Sequence, residues 1–245
     1  MKKALLYSNA YRKRPSFFLV MAIIGLLAAL IGFSKTFFIP VGQGTFSAPA
    51  GVHIHGFFAF SWIFLFVIQP FLIHFGKFRI HQILGVAGII IAFGVAITMV
   101  PAGLFQVHKE LAQGLGPTSY STLLGVITSG LLFLGLVLAG IYNRDRPEHH
   151  KRYMLLATIV VLWPAWFRFR HFFPQIPYPE IWFALVLADS LIIIAWAYEL
   201  YKYGKLHPVL KYAGLFVIVE QVLEILLFDS SPYRKLAIWI YGIVS

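Results

Sequence analysis

Three carboxylic acids in this sequence stand inside strongly apolar surroundings. Asp189 is embedded in Leu185-Val186-Leu187-Ala188-Asp189-Ser190, and Glu220 and Glu224 lie four residues apart in a second apolar run. On a helix that spacing puts both glutamates on one face. Ionisable side chains in such segments are expensive and point to proton relays, ion paths or catalysis. Asp189 and Glu220 are therefore the candidates for acid–base work, with Glu224 beside them on a polar path. The competing reading is that the acids are paired or neutral and hold helices together.

Histidine supplies the second set. His81, His150 and His207 each stand at the start of an apolar run on the same predicted membrane face, with His74 and His149 nearby. Neutral imidazoles from three neighbouring helices can make a zinc site with an open position, so these three are the candidate metal ligands. Bis-histidine ligation of haem b is the other use. On the opposite face His53 and His55 open another run. With Trp62 and Gln69 further along it, they are the candidate cofactor-binding residues, Trp62 lining a pocket for a porphyrin, quinone or lipid chain. His53 and His55 are about 200° apart on a helix, so an irregular turn would be needed to aim both at one centre. Interfacial histidines attracted to anionic lipid are the plainer alternative for the five on the first face, His74, His81, His149, His150 and His207.

Absences narrow the chemistry. There is no cysteine, which excludes disulfides, thiolate-bound zinc, iron–sulfur clusters and cysteine nucleophiles. HExxH, the HxxHH boxes of membrane di-iron desaturases, GxGxxG and the P-loop are missing as well.

The elements that must position these residues follow from composition. Of 245 residues 60% are hydrophobic and 12% charged, against roughly 25% charged in a soluble domain; mean hydropathy is +0.81. The bilayer is the solvent. Seven runs approach the roughly 20 residues a spanning helix needs: 16–38, 52–75, 81–105, 119–142, 152–169, 179–202 and 208–228. The expectation is an all-α, polytopic bundle of seven transmembrane helices. A basic arm, 1–15, precedes the domain at 16–228, and a short apolar tail, 229–245, follows it at the interface or against the bundle. The first run is too long for the apolar core of a signal peptide and lacks a cleavage site at the right distance, so it reads as an uncleaved span.

Charge sets the orientation. With the N-terminus in the cytoplasm, fourteen lysines and arginines fall on the inner side and six on the outer, as the positive-inside rule requires. The net charge of +11 resides mostly in these connectors, which explains it without a nucleic-acid partner. Stripes of small residues, Ser121/Gly125/Ser129 and Gly88/Ala92/Ala96, let helix backbones approach closely in lipid.

Several stretches carry a likeness. Val52-His53-Ile54-His55-Gly56, then Trp62, Gln69, Gly76, Arg79, His81 and Leu84-Gly85, resembles a widespread group of uncharacterised bacterial multi-spanning membrane proteins. So do Pro147-Glu148-His149-His150-Lys151-Arg152, Ala188-Asp189 and Gly204-Lys205-Leu206-His207-Pro208. The resemblance covers most of spans two to seven, singles out His53, His55, Gln69, His81, His150, Asp189 and His207, and implies a multi-pass protein of the bacterial inner membrane. It brings no activity with it. A looser similarity is to transmembrane cytochromes b of the ferric-reductase kind, whose paired histidines lie deeper in their spans. Another is to seven-span zinc hydrolases of the ceramidase type, whose HxxxH in the last span is absent here.

Three functions are therefore expected to compete. The first is a redox or metal-binding protein carrying haem b as an electron-transfer module. The second is a zinc-dependent lipid hydrolase, and the third a non-enzymatic lipid or ion binder or transporter. The bilayer is the certain partner under each, with a quinone or lipid substrate and a homodimer among the further ones.

Overall fold

The computed structural model describes residues 16–245; the basic arm, 1–15, lies outside the described residues. These are helical, with no strand among them. Helix α1 (Phe17–Gly42) is followed by α2 (Ala50–His74), α3 (Phe78–Ala112), α4 (Thr118–Tyr142), α5 (Pro147–Phe167) and α6 (Glu180–Tyr203). The segment Val209–Ala213 runs into Gly214–Leu227 to form α7, and α8 covers Ser231–Val244. Ser16 caps α1 by accepting from the Leu19 N–H at 3.2 Å. Proline lies inside α2, α3 and α5 at Pro70, Pro101 and Pro164 without ending any of them, as packed membrane helices tolerate.

Five helices, α1 to α4 and α6, are long and apolar enough to cross a membrane. Along α3, Ile83, Val86, Ile90 and Ile97 are each more than 60% exposed. A lipid-facing stripe is the setting in which such side chains are stable. The other two runs form helices of suitable length but are diluted by charge: Glu148, Lys151 and Arg152 in α5, and Lys211, Glu220 and Glu224 in α7.

Packing explains why α5 can carry charge. It touches α1, α2, α4, α6 and α7, and residues 155–160 are buried without interruption. A helix enclosed on every side answers to its neighbours rather than to lipid. Helix α5 approaches α1 closely, where a Cβ on Gly32 would overlap the Ala165 carbonyl. Gly32→Val should therefore force α1 and α5 apart and lower stability by about 1–3 kcal/mol, read as earlier thermal unfolding in detergent. Gly42→Val, at an open position, should leave unfolding unchanged.

Candidate functional site

Helix α7, which carries Glu220 and Glu224, meets α4 and α8 around a small cavity. About 150 Å³ in volume, it is lined by Thr128 of α4, by Glu220, Leu223, Glu224 and Leu227 of α7, and by Tyr233 of α8. Gly125 makes room for it, because a Cβ there would occupy the place of the Glu224 carboxyl. The small-residue stripe of α4 thus serves the site as well as the packing.

Glu220, in the cavity wall, lies within electrostatic range of both Glu224 and Asp189. Asp189 is 6% exposed, and neither of its oxygens has a hydrogen-bond partner. The Tyr233 hydroxyl and the Gln221 amide nitrogen are likewise buried and unpartnered. Polar groups taken from water without partners cost several kcal/mol each by transfer measures. Asp189 lies on α6, Gln221 on α7 and Tyr233 on α8.

Helix α8 is clamped over this region by Asp229, which adopts positive φ in the α7–α8 turn, a conformation aspartate tolerates. Its carboxylate accepts from Thr118 Oγ1 at 2.8 Å, Ser121 Oγ at 3.0 Å and Arg234 Nε at 2.6 Å. The Arg234 guanidinium, working against burial, holds the Asp229 carboxyl down to about 2 from an ordinary 3.8. A carboxyl depressed on folding stabilises the folded arrangement above its unfolded value, and that contribution disappears as pH falls through the folded one. The clamp should therefore loosen between about pH 4 and pH 2. Because the chain has no cysteine, a spin label on Lys235→Cys reports the motion alone. Label mobility should rise in that window, and Arg234→Gln should shift the rise to higher pH.

The opposite end of the bundle holds the histidine row. The His81 and His150 rings stand 6.3 Å apart, edge to face, and His149 and His207 pair the same way at 4.6 Å. His150 Nδ1 lies 2.8 Å from the Gly140 carbonyl, whereas His81 Nδ1 is buried and unpartnered. The three expected metal ligands are thus divided between two pairs. Among the described residues no group of three or more His, Asp or Glu side chains converges to hold a metal ion. Beside the row, Arg152 of α5 and Glu199 of α6 form an ion pair in which both side chains are buried, 3% and 2% exposed. Glu199 also accepts the His207 N–H at 2.6 Å. Burial, then the Arg152 charge, hold the His207 imidazole below its ordinary range.

The expected cofactor residues spread along α2. His53 is exposed and meets Phe46 edge-on, while His55 turns inward to Thr98 Oγ1 at 3.1 Å. Trp62 is buried, donates to Thr158 Oγ1 at 3.2 Å and packs on Phe133. The Gln69 carbonyl Oε1 is buried without a partner. His55, Trp62 and Gln69 recur every seven residues, so they share one inward face of α2. Tyr233, Thr128 and the Arg152–Glu199 pair are the residues that sequence reasoning missed.

No family model, curated protein or solved structure matches this chain.

Proposed function

We propose that this protein is a multi-pass ion carrier of the bacterial inner membrane, with protons as its cargo and the carboxyls of Glu224, Glu220 and Asp189 as the path. The observation that carries the reading is Asp189, a buried carboxyl with neither oxygen partnered and a second acid in electrostatic range. A carboxyl in that setting is completed by a proton or a small cation arriving along the path. The Thr128–Glu224–Tyr233 cavity is the entry, and the buried Arg152–Glu199 pair closes the far end of the bundle. In this reading α5 and α7 also span, giving seven crossings with the N-terminus in the cytoplasm. The enclosure of α5 by five other helices supports that count.

Proteoliposomes loaded with a pH-sensitive dye test it. A potassium diffusion potential should drive proton entry above that of protein-free vesicles, and equal rates would refute the reading.

A second reading is favoured by one observation, the unpartnered buried Nδ1 of His81 beside the ring of His150. Here the inner histidines hold haem b or zinc and serve electron transfer or lipid hydrolysis. Optical spectra before and after dithionite, with elemental analysis, separate the two. A Soret band or stoichiometric zinc that disappears in His81→Ala supports the second reading, and a colourless, metal-free protein supports the first.

A further inference from the structure

Six lysines and arginines belong to the bundle end at which α1, α3 and α5 finish, and four of them gather around one residue. Lys35 of α1 donates to the His171 carbonyl at 2.9 Å and lies 4.4 Å above the Phe172 ring. Arg168 is fixed by donation from Nε to Thr36 Oγ1 at 3.2 Å and from a terminal nitrogen to the Pro164 carbonyl at 2.7 Å. Its guanidinium lies 4.1 Å above the Phe33 ring. Arg170 donates to the Phe167 carbonyl at 3.1 Å and stacks 3.7 Å above that ring. Burial, and then the charges of Arg170, Arg168, Lys35 and Lys109, hold the His171 imidazole below its ordinary range.

Among the described residues none of the four, Lys35, Lys109, Arg168 and Arg170, is within ion-pair distance of a carboxylate, the pairs being Lys151–Glu148, Arg152–Glu148, Arg152–Glu199 and Arg234–Asp229. The nearest acid is Glu110, whose charge reaches Arg170. Both of its oxygens are already engaged, by Gln106 at 2.7 Å and Thr122 at 2.9 Å. Membrane orientation does not account for the cluster. An orienting charge needs only to stay in a connector and remain hydrated, whereas these are drawn together and held against backbone carbonyls and aromatic rings. Like charges gathered in that way repel unless an anion offsets them.

We infer that Lys35, Arg168 and Arg170, with His171 at their centre and Lys109 at the rim, form a binding site for a phosphate-bearing anion at the membrane boundary. Two guanidinium groups and an ammonium retain N–H donors beyond those spent on the protein, and a fork of guanidinium donors suits phosphate oxygens. Lying where apolar helices end, the site is at the depth of a lipid phosphodiester. Dissolved phosphate offers the same chemistry. The site is separate from the carboxylate path.

The test uses nanodiscs of phosphatidylcholine containing phosphatidylglycerol, followed by native mass spectrometry of the released protein. The wild type should retain one phosphatidylglycerol. Lys35→Gln and Arg170→Gln should each weaken retention about tenfold or more, and Lys77→Gln at the opposite end should not. Inorganic phosphate titrated into the phosphatidylglycerol-containing nanodiscs separates the sources. Retention of phosphatidylglycerol that phosphate does not displace identifies the lipid, and displacement by phosphate identifies the free ion. Thermal unfolding of each variant shows that it is folded. Folded Lys35→Gln and Arg170→Gln proteins that retain phosphatidylglycerol like the wild type, or a Lys77→Gln protein that loses as much, would overturn the site.

Discussion

Asp189→Asn is expected to cut proton entry into proteoliposomes by tenfold or more, on the order of what a positioned proton-transfer group contributes, while the protein folds and inserts normally. Asparagine has nearly the size and shape of aspartic acid, so the packing of α6 is preserved. Neither Asp189 oxygen has a partner to lose, which keeps the expected stability change within about 1 kcal/mol. What the amide cannot do is take up and release a proton. Glu220→Gln should act in the same direction, since Glu220 stands in electrostatic range of both other acids. Glu110→Gln is the matched control. Glu110 already accepts from Gln106 and Thr122 and lines no part of the cavity, so its flux should match the wild type. Full flux in Asp189→Asn would make the three acids structural and withdraw the carboxylate path.

Asp189, Glu220 and Glu224 were legible as candidates because hydropathy exposes any charge set in an apolar run, and a spacing of four fixes a common face for the two glutamates. Tyr233 was not. It belongs to the apolar tail, and its place beside Glu224 depends on the turn at Asp229, which folds α8 back onto α4. Nothing local in the sequence announces that turn as a clamp, because its partners Thr118 and Ser121 come from more than a hundred residues earlier. Gly125 read as a packing position for the same reason: the side chain that needs its space arrives from α7. A window of sequence cannot distinguish a helix facing lipid from one wrapped by five neighbours, and only the latter can hold Arg152. The histidines illustrate the opposite limit. Their common end of the bundle could be inferred, but ring pairing depends on rotations that sequence does not specify, and His207 meets His149 instead of joining His81 and His150.

Glu199→Gln and Arg152→Met should each destabilise the protein by about 3–5 kcal/mol, the range for removing one member of a buried ion pair. Each change leaves the surviving charge in an interior with little water to receive it. Glu148, 57% exposed, also bonds Arg152 at 2.7 Å, so the arginine keeps a partial partner when Glu199 is lost. Glu199 has no second cation within ion-pair distance among the described residues, which makes Arg152→Met the costlier change. Combining Arg152→Met with Glu199→Leu replaces the pair by apolar volume, and most of the loss should return. It will not all return, because the His207 N–H donates to Glu199 and is left unpaired in that variant. This residual is the informative quantity. Glu199 ties α5 and α6 to the start of α7, and α7 carries Glu220 and Glu224. Hydrogen exchange should therefore rise at His207 and along the first turn of α7 in the double variant, even where thermal unfolding has recovered. Unfolding and exchange in detergent test both halves. Single losses below about 1 kcal/mol would show that the pair is hydrated, whereas recovery without faster exchange at His207 would show that α7 is held by its packing on α5 and α6 alone.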